Sequence, residues 1–186
     1  PLYFSAVTDP VSAGLVDSLD KPGKNVTGTI DAAPIEEQVK LLQKVAPEAK
    51  TIGLLYNSGE ANSLSEAENA KEQLTAVGLK VEEATVTSTN DISQVMGSLV
   101  SKVDAIFTVT DNTVASAMTL VGDLAIEAKL PIVGGSKDMI NENGLVTYGL
   151  NYYNLGKQTA AMVVKQQEEN LNVSEVPVES ASENNL

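Results

Sequence analysis

The sequence contains no cysteine and no histidine among its 186 residues. Without cysteine the chain can form no disulfide, no thiolate metal site and no cysteine nucleophile. Without histidine it lacks the commonest general base and the commonest transition-metal ligand, and a Ser-His-Asp triad is impossible. No phosphate-binding loop, dinucleotide fingerprint, nucleophile elbow or EF-hand loop occurs either. We therefore predict a binding protein rather than an enzyme, with no catalytic residue, no metal and no cofactor.

Basic residues are also scarce, since Lys and Arg together number 12 against 25 Asp and Glu, for a formal net charge of −13. A nucleic-acid partner requires a cationic face, and an anionic membrane surface would repel this chain. No apolar run approaches the ~20 residues that a transmembrane helix needs. Because 42% of the residues are hydrophobic, the chain can bury a core, in one domain or two small ones.

Short β-branched runs alternate with segments of helical periodicity. The predicted strands are residues 2–7, 25–30, 51–56, 80–86, 105–109, 131–134 and 145–148. Several are almost wholly apolar, which is typical of parallel strands covered on both faces. The alternation predicts an α/β fold with a doubly wound parallel sheet, a Rossmann-like lobe. Residues 51–148 suffice for that lobe, whereas residues 1–31 supply two strands of a second, incomplete lobe.

Three local signals predict where helices begin and end. Ser63 and Glu66 have the spacing of a capping box that opens a helix. Asp9 before Pro10 is typical of a helix start, and Gly78 of a helix end. The chain enters its first apolar strand almost at once, and we expect an upstream part of the protein before Pro1.

Small polar side chains follow five of the predicted strands, at residues 8–10, 57–63, 110–113, 136–138 and 149–153. Ligands of open α/β sheets bind beyond the carboxyl ends of the strands. Free N–H groups at helix starts favour a carboxylate, whereas a side chain such as Asp111 favours an ammonium group. These polar residues at the carboxyl ends of the strands, called the rim of the sheet below, therefore suit a small zwitterionic ligand. The alternative is that these polar residues only cap helices.

Six ordered blocks carry a resemblance to a known family: AVTDP at 6–10, NVTG at 25–28, IGLLYN at 52–57, EANS at 60–63, TDNTVAS at 110–116, and TYG at 147–149 with YY at 152–153. The chain resembles the ABC-transporter substrate-binding proteins, of the kind that includes the tryptophan/tyrosine-binding lipoproteins of Gram-positive bacteria. The resemblance extends to about residue 170. It implies a type I periplasmic-binding-protein fold, with a ligand between two Rossmann-like lobes.

Mapped onto this chain, the resemblance implies that residues 1–33 are the C-terminal part of lobe one, residues 34–150 are lobe two, and residues 151–186 return to lobe one. The first half of lobe one would lie upstream. The implied ligand contacts are Thr8, Asp9, Asn57, Ser58, Glu60, Asn62, Ser63, Thr110, Asp111, Asn112, Asp138 and Asn151. Many relatives carry an acid where this chain has Asn151, and this departure weakens the expected contact with an ammonium group.

The favoured function is the extracytoplasmic solute-binding component of an ABC importer, located in the periplasm or on the cell surface as a lipoprotein. Its partners would be an ABC permease and an amino acid-like ligand, with tryptophan and tyrosine as candidates, and no nucleic acid. The alternatives are the effector-sensing core of a transcription regulator and a flavodoxin-like enzyme. We also expect an apolar face exposed around Leu2, Phe4 and Val26, which predicts a homodimer or a swapped dimer.

Overall fold

The computed structural model describes residues 1–140, 146–182 and 184–185. In chain order the strands and helices are β1 (Leu2–Ser5), β2 (Val26–Ile30), α1 (Ile35–Val45), β3 (Thr51–Asn57), α2 (Ala61–Ala76), β4 (Lys80–Val86), α3 (Ile92–Leu99), β5 (Ala105–Thr108), α4 (Asn112–Ser116), α5 (Met118–Ala128), β6 (Ile132–Val133), α6 (Lys137–Ile140), β7 (Gly149–Leu150), α7 (Tyr152–Glu168), β8 (Glu179–Ser180) and β9 (Asn184–Asn185). The chain divides into two compact units. Unit 1 contains Pro1–Ala32 and Leu150–Asn185, and unit 2 contains Ala33–Gly149. Within the described residues, no helix has the length and apolar character needed to cross a membrane.

Unit 2 is built on a four-stranded parallel sheet with the order β4-β3-β5-β6. The predicted α/β class with parallel strands is thereby confirmed. The predicted strand at 145–148 is wrong in extent, because among its described residues only Val146 forms a bridge, with Val133. Backbone hydrogen bonds join Val146 to Ile132 and Gly134. Beyond Val146 the hydrogen bonds involve side chains: the Thr147 hydroxyl donates to the carbonyl of Gly134, and the Gln38 amide donates to the carbonyl of Tyr148.

Helices cover both faces of the unit 2 sheet, as a doubly wound fold requires. Leu54 of β3 packs in a cluster with Leu74 of α2, whereas the next residue, Leu55, packs on the other face with Met96 of α3. This follows from the alternation of side chains along a strand. Phe107 of β5 is fully buried, and burial of a side chain of this size stabilises the fold by about 1.5–3 kcal/mol. Because helices cover both faces of the sheet, the central strands β3 and β5 are almost wholly apolar.

Unit 1 contains a three-stranded parallel sheet with the order β1-β2-β8. Helix α7 packs against β1 and β2 through a polar group of side chains. Thr159 of α7 donates to Ser5 Oγ at 3.0 Å, and its hydroxyl lies 2.7 Å from that of Thr29. Because these hydroxyls satisfy one another, the helix can be buried on this face without a wholly apolar interface.

The expectation of an apolar face exposed around Leu2, Phe4 and Val26 is wrong for Phe4. Phe4 is only 8% exposed and clusters with Val16 and Ile30, while Val26 is half-buried against the same group. The loop between β1 and β2 returns over the sheet and supplies Val16. Leu2 is 55% exposed, so a single apolar side chain rather than a face remains open.

Of the three predicted helix boundaries, the structure confirms one and contradicts two. Gly78 follows the end of α2 with φ +86°, which confirms the predicted helix end. The predicted capping box is wrong, because α2 begins at Ala61, two residues before Ser63. The predicted helix start at Asp9 is also wrong. Asp9 Oδ1 accepts the N–H of Ser12 at 3.0 Å, but the chain there forms a turn.

Candidate ligand-binding site

The strand order places a topological switch point between β3 and β5. The chain leaves β3 towards α2 on one face of the sheet and leaves β5 towards α4 and α5 on the other, as the two apolar clusters show. Open α/β sheets bind ligands in the crevice at such a point, beyond the carboxyl ends of the strands. The last residue of β3 and the residues that follow β3 and β5 form a group of hydrogen-bonded polar side chains. It is named here the β3–β5 cluster and consists of Asn57, Glu60, Asp111, Asn112 and Thr113.

Asp111 connects the two loops of the β3–β5 cluster. Its Oδ2 accepts the backbone N–H of Asn57 at 2.6 Å, and its Oδ1 caps α4 by accepting the N–H of Val114 at 2.7 Å. Asp111 is only 2% exposed. Both of its oxygens therefore accept an N–H group of the protein's own backbone.

Glu60 accepts five hydrogen bonds within the β3–β5 cluster. One comes from the Asn57 amide, two from the backbone and amide of Asn112, and two from the backbone and hydroxyl of Thr113. Burial raises the pKa of the Glu60 carboxyl, but the hydrogen bonds from Thr113 and Asn112 outweigh burial and hold the pKa below its ordinary value. Glu60 is therefore a carboxylate that fastens the loop after β5 to the start of α2.

The Asn57 side chain completes the cluster. Its Oδ1 accepts the N–H of Gly59 at 2.7 Å, and its Nδ2 donates to the Thr113 hydroxyl at 2.8 Å. Asn57 is 6% exposed, whereas its neighbour Ser58 is exposed. The short side chains of Asn57 and Asp111 suit these positions because each reaches a backbone N–H two or three residues away, at Gly59 and Val114.

The first turns of α2 supply a second set of contacts, to Thr110. Asn62 Nδ2 donates to the Thr110 carbonyl at 2.9 Å, and the buried Ser63 hydroxyl donates to the same oxygen at 3.4 Å. Glu66 Oε2 accepts the N–H of Thr110 at 2.7 Å, while its Oε1 accepts the N–H of Ala33 at 3.1 Å. These long-range contacts explain the failed capping box, because both of its side chains are used between elements.

The loop after β6 lies against the end of β5. A Cβ atom at Gly135 would lie 2.2 Å from the carbonyl carbon of Val109 and 2.4 Å from the nitrogen of Thr110, so only glycine fits. Gly135 also donates its N–H to Thr108 Oγ1 at 3.2 Å. Asp138 follows on α6 and is exposed. Within the described residues, no hydrogen bond joins Asp138 to the β3–β5 cluster.

In unit 1 the polar residues of the carboxyl ends converge on Asp31. The Thr8 hydroxyl donates to Asp31 Oδ1 at 3.0 Å, and the Tyr152 hydroxyl donates to Asp31 Oδ2 at 3.2 Å. Asn151 caps α7 by accepting the N–H of Asn154 at 3.2 Å. Asp9 holds its own turn and is half-exposed. The carboxylate at this end of unit 1 is therefore Asp31. Asn151, where an acid was expected, is an amide that caps α7.

Sequence reasoning missed Asp31, Glu66 and Thr113. Asp31 had a usable signal, because it directly follows β2, although that strand is not one of the five whose ends predicted the site. Glu66 was assigned to a cap, and nothing local indicates its contacts with residues more than 30 positions away. Thr113 resembles an ordinary residue of a helix start.

Known proteins resemble this chain in sequence and in structure. The sequence profile of the ABC transporter substrate binding proteins matches residues 1–186. The chain belongs to this family. It is 33% identical over 186 residues to a tyrosine-binding protein of Clostridioides difficile, covering all of this chain and 54% of that protein. It is 38% identical to an ABC domain of Streptococcus pneumoniae solved in complex with L-Trp, with a TM-score of 0.91 over 99% of this chain and 64% of that one.

A more distant structure shows the fold alone. A periplasmic sugar-binding protein of an ABC transporter from Legionella pneumophila is 16% identical, with a TM-score of 0.66 over 95% of this chain and 76% of that one. The fold is thus that of the type I periplasmic-binding proteins. The chain spans about half the length of the curated relative and under two thirds of the streptococcal structure.

Proposed function

We propose that the full-length protein captures an aromatic amino acid for an ABC importer. The observation that carries the proposal is the family match over the whole chain, together with relatives that are named for tyrosine or solved with L-Trp. In this proposal the ligand is held between two lobes, one of them residues 34–150 and the other including residues 1–33 and 151–186. The hinge lies near residues 31–34 and 149–152, where the chain passes between lobes.

The predicted contact residues divide by exposure into two roles. Ser58, Glu60, Asn62, Thr110, Asn112 and Asp138 of unit 2, with Thr8, Asp9 and Asn151 of unit 1, are exposed or half-exposed, and we assign them to ligand contact. Asn57, Ser63 and Asp111 are buried. Their role is to hold the loops in place, since their polar atoms already bind the protein.

The chemistry of the rim suits the carboxylate end of an amino acid. Helix α2 starts at the switch point, and its N-cap Glu60 makes no side-chain hydrogen bond to the first turn. Backbone N–H groups at such an end attract an anion. This chain contains no arginine, so its own contribution to binding a carboxylate is limited to N–H groups, hydroxyls, amides and lysine.

The remaining partners follow from the family. The loaded protein would deliver its ligand to an ABC permease outside the cytoplasm, as a periplasmic protein or a surface lipoprotein. Self-association of this chain as a dimer or swapped dimer stays a prediction. Light scattering tests it, and a monomer at all concentrations would contradict it.

Isothermal titration of the full-length protein tests the function. We expect saturable one-to-one binding of tryptophan or tyrosine, and no heat with ribose. Asn62→Ala should weaken this binding, because Asn62 is half-exposed at the α2 start and positions Thr110. The matched control Asn69→Ala, at an exposed position about two turns further along the same helix α2, should bind as the wild type does. Failure of every amino acid in a full panel to bind would remove the proposal.

A further inference from the structure

Asp31 is a buried carboxylate without a cationic partner. It is 6% exposed, and its two hydrogen bonds come from the neutral hydroxyls of Thr8 and Tyr152. Among the ion pairs of the described residues, none includes Asp31. Burial of a carboxylate is costly unless a cation or several donors compensate its charge. Two neutral hydroxyls leave acceptor positions on both oxygens unused.

The other carboxylates of the two rims differ from Asp31 in this respect. Glu60 accepts five hydrogen bonds, and Asp111 and Glu66 each accept two backbone N–H groups. Asp138 is exposed and Asp9 is half-exposed, so water compensates their charges, and Asp9 also accepts the backbone N–H of Ser12. Of these acids, Asp31 alone combines burial with purely neutral side-chain donors.

The position of Asp31 also fits a ligand-binding role. It follows the carboxyl end of β2, Thr8 follows β1, and Tyr152 opens α7, so three segments of unit 1 meet at one carboxylate. Asn151, the position at which an acid was expected, uses its Oδ1 to cap α7. Asp31, which accepts a hydrogen bond from the hydroxyl of the next residue, Tyr152, supplies a negative group in the same unit.

We propose that Asp31 accepts the protonated amino group of the ligand and so makes the protein select free amino acids over their deaminated analogues. This proposal rests on the proposed function and adds to it the residue that binds the ammonium group of the ligand. The ligand supplies the cation that compensates the buried charge. Thr8 and Tyr152 orient the two carboxylate oxygens, which remain able to accept further N–H donors.

The test is a binding cycle with the full-length protein, L-tryptophan and L-tyrosine as ligands, and indolepropionate and hydroxyphenylpropionate as their deaminated analogues. Wild type should bind the amino acid about 10- to 100-fold more tightly than the analogue, the range that a charged hydrogen bond provides. Asp31→Asn should lose most of that preference and bind the analogue within about twofold of wild type, within the scatter of such measurements. Asp20→Asn, an exposed acid of the same unit, should change neither affinity.

Three outcomes would overturn the assignment. Equal wild-type affinity for amino acid and analogue would show that no ammonium is read, whether or not the variant folds. Parallel weakening of both ligands by Asp31→Asn would show a purely structural role, and its thermal unfolding midpoint would report the damage. Undiminished preference in Asp31→Asn would exclude Asp31. A wild type that binds no amino acid removes the proposed function as well, and is thereby distinguishable from all three.

Discussion

Asp111→Ala should destabilise unit 2 strongly, because it leaves two buried backbone donors without acceptors. The N–H of Asn57 loses a bond of 2.6 Å, and the N–H of Val114 loses the α4 cap of 2.7 Å. An orphaned buried donor costs about 1–3 kcal/mol, and loss of a helix cap typically costs ~1 kcal/mol. We expect a loss of about 3–4 kcal/mol in the free energy of unfolding, a large share of the ~5–15 kcal/mol typical of a domain.

Asp111→Asn separates the two bonds. The amide oxygen keeps one acceptor, while the amide NH₂ faces the other N–H donor, so we expect about half of the alanine loss, ~2 kcal/mol. Urea unfolding followed by far-UV circular dichroism measures both variants. The control is Glu127→Ala, an exposed acid of α5, which should unfold as the wild type does. A loss below about 1 kcal/mol for Asp111→Ala would refute the argument that this carboxylate holds the two loops together.

Three further predictions test other parts of unit 2. Glu60 has a pKa lowered in the folded state, so its stabilising contribution is complete above the unfolded value of 4.5 and is lost as pH falls through the folded value. The stability difference between wild type and Glu60→Gln should therefore shrink between pH 7 and about pH 3 in urea titrations. Gly135→Ala should reduce both stability and amino acid binding, because the new Cβ would lie 2.2 Å from the backbone of Val109. Gly97→Ala, with open space around it in α3, should be neutral or stabilising by up to about 1 kcal/mol. Phe107→Ala should cost about 3–5 kcal/mol in thermal or urea unfolding, and a loss under 1 kcal/mol would contradict its place in the core.

The strands and helices could largely be predicted because their signals are local. The run from Thr51 to Asn57 is apolar over nearly its whole length, and a strand covered by helices on both faces requires that. Gly78 predicted a helix end because the left-handed conformation costs glycine least. Ser63 and Glu66 have the spacing of a capping box, but their side chains bind distant residues instead. The local signal therefore predicted the wrong role for both.

The roles of the polar loop residues could be predicted only as a group. Asp111 and Asn112 are neighbours of similar size and polarity, yet the first is 2% exposed and the second is exposed. The difference arises from the N–H of Asn57, which is 54 positions away along the chain. No pattern within the loop contains that information, because it depends on which strand lies beside β5.

By itself the sequence determined the α/β class, the absence of thiol and imidazole chemistry, and the family to which the chain belongs. These depend on composition, on short-range periodicity and on ordered blocks, all of which are properties of the chain before it folds. The tertiary structure decided the strand order that creates the switch point. It also decided which carboxylates accept hydrogen bonds from the protein's own backbone, and that Asp31 forms no ion pair among the described residues. Those outcomes depend on pairings between distant segments, whose energies exist only once the sheets have formed.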